Sequence, residues 1–97
     1  MNPSDSFPGE AFSDVVDANS LYVESFQNSE LTGTARKALA IVTCIDSRIS
    51  PLAAVGMQAG DAKILRNAGA RVTEDVLRTL VLASYLLGVT RVLVMPH

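Results

Sequence analysis

A continuous apolar run near the middle of the chain, Ala38 to Thr43, constrains the fold more than any other feature. The run does not alternate between apolar and polar residues, which is typical of a strand buried on both faces. Such strands belong to parallel sheets whose faces are covered by helices. The sequence therefore predicts an α/β fold built on a parallel sheet.

Two more strands are predicted after this one. The second covers Ala62 to Leu65 and follows a short helical turn that starts at Pro51, and the third, also predicted to be buried, covers Arg91 to Met95. Crossovers between parallel strands are expected to be right-handed. If the third strand returns to the far side of the first, the sheet order is 2-1-3, which is the order that we expect. A ligand crevice then lies between the carboxyl ends of strands one and three.

The flanking segments complete the predicted organisation. The clearest helix precedes the third strand, with Thr73 as its N-cap and Gly88 just past its end. Residues 1–18 include a segment rich in Pro, Ser and acidic residues and are predicted to form a flexible arm. Residues 19–97 are predicted to form the folded domain, which opens with a short helix over residues 19–30.

The charges are unevenly distributed, with a net charge of −6 over residues 1–35 and +4 over residues 36–97. The positive part suits a small anionic substrate, but it lacks the basic clustering of a nucleic-acid-binding protein. The longest apolar stretch, Leu80 to Leu87, is too short to span a bilayer, and no signal peptide is apparent. We therefore expect a cytoplasmic protein that binds neither nucleic acid nor membrane.

The single cysteine, Cys44, and the single histidine, His97, follow the first and third predicted strands. Neighbouring strands are about 4.8 Å apart, so a thiolate and an imidazole at these ends can meet at one zinc-like ion. Two other readings of Cys44 stay open. It is either a small buried hydrophobic residue or a nucleophilic thiol with His97 as its base.

Asp46 and Arg48 follow Cys44 at alternate positions, which would place them on the same side of an extended segment. Asp46 then either ligates the metal or pairs with Arg48 and orients a metal-bound water. A metal lowers the pKa of its bound water to about 7, which makes hydroxide available at neutral pH.

The segment Arg66 to Ala70 follows the second strand. It is either a turn that needs Gly69 for a positive φ, or a source of a backbone amide that positions a small oxyanion. Asp61 and Arg66 are expected to form a structural ion pair or to be solvated.

Together these motifs resemble the N-terminal half of a β-class carbonic anhydrase. The resemblance is carried by Cys44-x-Asp46-x-Arg48, by Arg66-Asn67-Ala68-Gly69, and by an apolar strand that ends in His97. It implies a β-carbonic anhydrase-like domain, with Cys44 and His97 as zinc ligands and either a water or Asp46 as a further ligand.

The resemblance also implies a mechanism and an assembly. A metal-bound hydroxide, oriented by the Asp46–Arg48 dyad, would hydrate carbon dioxide to bicarbonate and a proton, beside the backbone of Ala68 and Gly69. Homodimers or larger oligomers are implied, with the helix over residues 19–30 reaching across to a partner.

The second cysteine of the family pattern His-x-x-Cys does not follow His97 in this sequence. Two expectations result: the chain is a piece of a longer polypeptide, or it is a truncated, non-catalytic anhydrase-like subunit or interaction module.

Overall fold

The computed structural model describes residues 10–96. The described residues divide into two compact units, residues 10–30 and residues 31–96, and the first helix belongs to the former. The elements, in chain order, are α1 Ser13–Glu24, β1 Leu39–Cys44, α2 Pro51–Ala54, β2 Ala62–Asn67, α3 Glu74–Leu86 and β3 Arg91–Met95.

The sheet in the described part of the second unit has three parallel strands in the order β2-β1-β3. This confirms the predicted α/β class and the order 2-1-3. β1 is the central strand, with Leu39 opposite Ala62 of β2 and opposite Arg91 of β3. Both of its edges are therefore hydrogen-bonded, and the side chains at its centre (Ala40, Ile41 and Val42) have no exposed surface.

Helix α3 is fixed at both ends as the sequence predicts. The Thr73 hydroxyl accepts a hydrogen bond from the Val76 amide at 3.4 Å, which caps the first turn. After the last turn, Gly88 has φ +73°, and a Cβ there would lie 2.9 Å from Cγ2 of Thr34. Glycine is therefore required by conformation and by space. The buried face of α3 contributes Ala83 to a core cluster of four residues: Ala35, Ala40, Ala83 and Val89.

Strand β3 is not buried, which corrects the sequence prediction. Val92, Leu93 and Val94 are 48%, 38% and 44% exposed. Among the described residues β3 lies at the edge of the sheet and pairs with β1 alone. Its apolar sequence is typical of a strand buried under other elements, but no element among the described residues buries it.

Helix α1 begins six residues earlier than the predicted helix over residues 19–30 and ends at Glu24. Residues 13–18 of the predicted arm are therefore helical, because Val15 and Val16 extend the apolar pattern upstream. Residues 1–9 of that arm lie outside the described residues, and the domain boundary at residue 18 stays a prediction. None of the helices in residues 10–96 has the length and apolarity needed to cross a bilayer.

Candidate metal centre

The candidate site lies where β1 and β2 end side by side. Cys44, the last residue of β1, is opposite Asn67, the last residue of β2. Before it, Thr43 is fully buried and its hydroxyl donates to the Met95 carbonyl of β3 at 3.1 Å. The carboxyl ends of all three strands therefore meet at this edge, and a rigid, buried strand holds the half-buried thiol of Cys44 there.

The surroundings of Cys44 favour its thiolate. A hydrogen bond from the backbone amide of Gly69 is the main cause that lowers the pKa of the thiol, and the amides of Asp46 and Ile45 act in the same direction. Desolvation and the negative charge of Asp46 oppose this shift without reversing it. The thiolate is the form of cysteine that binds metals, so the lowered pKa is compatible with the predicted role of Cys44 as a ligand.

Asp46 and Arg48 form an ion pair beside Cys44. The guanidinium of Arg48 is bidentate, with Nη2 2.6 Å from Oδ2 and Nε 3.0 Å from Oδ1 of Asp46. The Asp46 side chain is 15% exposed and that of Arg48 is 80% exposed. The same hydrogen bonding raises the pKa of Arg48. The carboxylate is thus partly sheltered and held in one orientation by a charged partner.

The pair is produced by a turn, whereas the sequence argument assumed an extended segment. The Ile49 amide donates to the Asp46 carbonyl at 3.1 Å, which closes a turn over residues 46–49. The Arg48 amide donates to Oδ1 of Asp46 at 3.0 Å, so the aspartate side chain also stabilises the turn. The expected pairing is present, but the reasoning from alternating side chains was wrong.

Arg66 does not pair with Asp61, so the first of the two expectations for these residues is wrong; Arg66 is exposed, whereas Asp61 is buried. Asp61 lies at the other end of the sheet, where its Oδ1 is 2.9 Å from Nη2 of Arg36. Arg66 instead donates to three backbone carbonyls of the turn after β1: Cys44 at 2.7 Å, Asp46 at 2.7 Å and Ile49 at 3.3 Å. The sequence analysis missed this role; the strand register, which places Arg66 opposite Thr43, is the signal that could have revealed it.

The segment after β2 forms a second turn against the site. Nδ2 of Asn67 donates to the Arg71 carbonyl and the Arg71 amide donates to Oδ1 of Asn67, each at 2.7 Å. Inside this turn Gly69 and Ala70 have φ +83° and +57°, in the left-handed region. Ala68 is exposed next to Gly69. Of the two residues predicted to line the site, Gly69 is the one whose backbone amide lowers the pKa of Cys44.

The predicted ligand His97 lies outside the described residues. Within residues 10–96 no group of three or more His, Cys, Asp and Glu side chains is arranged to hold a metal ion. The described part of the predicted ligand set is therefore Cys44 and Asp46, and the assignment of all three ligands stays a prediction.

Comparison with known proteins decides the family. Residues 39–97, more than half of the chain, match the sequence profile of the family described as carbonic anhydrase. The chain belongs to the β-carbonic anhydrase family. A carbonic anhydrase from Streptococcus mutans is 43% identical to it and superposes with a TM-score of 0.77, over 84% of this chain and 49% of that one.

Two curated relatives carry different names. The β-carbonic anhydrase 1 of Mycobacterium tuberculosis is 39% identical over 61 residues, which are 63% of this chain and 37% of the relative. A carbon disulfide hydrolase of an Acidianus species is 30% identical over 86 residues, which are 88% of this chain and 42% of the relative. The chain thus spans less than half the length of these family members.

Proposed function

We propose that this chain carries part of a zinc-dependent site that interconverts carbon dioxide and bicarbonate. Family membership supports the reaction class. The observation that carries the proposal is the Asp46–Arg48 pair, held beside a cysteine whose thiolate is favoured. A sheltered, ionised carboxylate next to a thiolate is a suitable arrangement for orienting a polar nucleophile at a metal ion.

Zinc would be held by Cys44 and His97, with Asp46 as a further candidate ligand. The fit to zinc rests on the chemistry of Cys44, because a half-buried thiolate that accepts backbone hydrogen bonds is a ligand that Zn²⁺ prefers. When bound, zinc supplies Lewis acidity that makes a hydroxide nucleophile available near neutral pH.

The residues of the chain contribute orientation. The guanidinium of Arg48 holds the Asp46 carboxylate in a bidentate pair, which would place it to accept a hydrogen bond from the O–H of the nucleophile. The O–H is thereby directed so that the oxygen lone pair faces the carbon of carbon dioxide. Attack would form the new C–O bond of bicarbonate while the electron pair of one C=O π bond moves to its oxygen, and the proton released from water would leave to solvent.

The test is the rate of carbon dioxide hydration by the zinc-loaded chain, measured by stopped flow. Asp46→Asn keeps the shape but removes the charge, and we expect the rate to fall by about 100-fold while the thermal unfolding midpoint changes little. Ser47→Ala, in the same turn, is the matched control and should keep the wild-type rate. An unchanged rate in Asp46→Asn would remove Asp46 from the reaction.

A wild-type chain that binds zinc but shows no hydration would favour the alternative of a non-catalytic anhydrase-like subunit. Homodimers or larger assemblies stay a prediction, and sedimentation velocity over a range of concentrations tests it. A single monomeric species at every concentration would contradict it.

Carbon disulfide hydrolysis is a second candidate, favoured by the similarity to a carbon disulfide hydrolase over 88% of the chain. Carbon disulfide, like carbon dioxide, is a linear molecule with an electrophilic central carbon, and its hydrolysis by two waters yields carbon dioxide and two hydrogen sulfides. Release of sulfide from carbon disulfide by the zinc-loaded chain, without hydration of carbon dioxide, would select this function.

A further inference from the structure

We propose that Arg66 and Asn67 are positioning residues, each of which fixes one of the two turns that present polar groups to Cys44. The first turn, over residues 46–49, carries the Asp46–Arg48 pair. The second, over residues 67–71, carries the amide of Gly69. Only the importance of these groups for catalysis depends on the proposed function; the positioning itself is a property of the chain.

Arg66 fixes the first turn through its carbonyl groups. The strand ladder continues one step past β1, where the Ile45 amide donates to the Asn67 carbonyl at 3.0 Å. Beyond this point the chain turns away from β2, and donors other than a strand have to satisfy its carbonyls. The planar guanidinium of Arg66 reaches two of them, Asp46 at 2.7 Å and Ile49 at 3.3 Å, and also the carbonyl of Cys44 at the end of β1 at 2.7 Å. A lysine ammonium cannot make these three contacts in the same geometry.

The Asp46–Arg48 pair depends on this support. The Arg48 guanidinium is 80% exposed and contacts the carboxylate of Asp46 rather than its backbone, so it does not itself fix that backbone. Arg66, by contrast, holds the carbonyl of Asp46 itself. The backbone of Asp46 is thereby tied to β2, and its carboxylate keeps one orientation relative to Cys44.

Asn67 fixes the second turn by a different contact. Its side-chain amide forms two hydrogen bonds with the backbone of Arg71, both at 2.7 Å. These bonds span Gly69 and Ala70, whose left-handed backbone is unfavourable for an alanine. The Asn67 side chain therefore holds a conformation that Ala70 would not adopt readily. We infer that this conformation places the Gly69 amide, which lowers the pKa of Cys44, beside the thiol.

The two residues are neighbours on β2, and each side chain controls a different turn. Removing one should release its own turn and leave the other in place. Arg91 provides a matched control, because its Nε and Nη2 donate to the Lys37 carbonyl at 3.2 and 2.9 Å, at the opposite end of the sheet. Its loss removes the same type of contact without touching either turn.

The experiment measures solvent-exchange rates by NMR in the full, metal-free, ¹⁵N-labelled chain. In Arg66→Ala we expect exchange of the Arg48 Nε–H to accelerate by about tenfold or more, with the Gly69 amide unchanged. In Asn67→Ala we expect the reverse: faster exchange and a shifted signal for Gly69, with Arg48 Nε–H unchanged. Arg91→Ala should alter neither signal.

Wild-type exchange at Arg48 in Arg66→Ala, or at Gly69 in Asn67→Ala, would overturn the proposal. So would equal effects of Arg91→Ala, which would indicate general loosening. If Arg66→Ala or Asn67→Ala fails to fold, Arg66→Lys or Asn67→Asp takes its place. We then expect an intermediate acceleration of exchange at the same signal, and a wild-type exchange rate there would contradict the proposal. The measurement uses neither metal nor substrate, so its failure is distinguishable from failure of the proposed function.

Discussion

Strands β1 and β3 are alike in sequence and differ in surroundings. Both are short, apolar and parallel, yet the centre of β1 has no exposed surface whereas Val92, Leu93 and Val94 of β3 are 38–48% exposed. β1 is paired on both edges, and β3 pairs with β1 alone among the described residues. The comparison shows that the candidate site is built on the most constrained strand of the sheet.

The largest expected difference between the two strands is in their contribution to stability. Ile41→Ala on β1 should lower the free energy of unfolding by about 2–5 kcal/mol, because it leaves a cavity in a fully packed place. Leu93→Ala on β3 should lower it by about 1 kcal/mol or less, since its side chain is already partly solvated. Urea unfolding of both variants checks this. Equal losses would show that β3 is covered in solution.

A smaller effect is expected at the amino end of the β1–β2 pair, where Asp61 is buried. A hydrogen bond from the Gln58 amide is the main cause that lowers the pKa of Asp61, and the positive charge of Arg36 adds to it. The carboxylate therefore stabilises the fold above its unfolded pKa of about 3.9, and this contribution is lost as pH falls through the lower, folded pKa.

Asp61→Asn should accordingly be less stable than wild type at neutral pH. The difference between their urea midpoints should shrink as pH falls below about 4. Glu30→Gln, at an exposed position, serves as the control. The difference between its urea midpoint and that of wild type should not shrink over the same pH range. A constant difference between wild type and Asp61→Asn at every pH would contradict the assigned cause.

The smallest effect is expected at the amino end of the β1–β3 pair. There the exposed guanidinium of Arg91 donates to the Lys37 carbonyl. Arg91→Ala should cost about 1 kcal/mol or less, with no change in the pH dependence of unfolding. A loss as large as that of Asp61→Asn at neutral pH would contradict this, because it would mean that the contacts at the amino ends of the β1–β3 and β1–β2 pairs stabilise the fold equally.

The sequence predicted the features that depend on local pattern. The apolar run predicted β1, the N-cap and the glycine delimited α3, and the succession of strands and crossover helices predicted a parallel sheet. These features follow from nearest neighbours and chain chirality. Pairing of Asp46 with Arg48 was also expected from their spacing.

Features that depend on distant contacts were not predicted. The exposure of β3 could not be read from its side chains, because an apolar strand has the same sequence whether or not a neighbour covers it. The contact of Arg66 with the turn after β1 joins residues about twenty positions apart, and it becomes visible only when the strand register is known. The turn at Asp46 was missed because its own side chain competes with extended backbone.

The most direct test of the account is the zinc content of the purified full chain. Elemental analysis after dialysis should find stoichiometric zinc in wild type and in the control Ser47→Ala, and almost none in Cys44→Ser, with all three folded by circular dichroism. Equal zinc in Cys44→Ser and wild type would contradict the claim that the thiolate at the end of β1 holds the metal, as would a wild-type chain that retains no zinc.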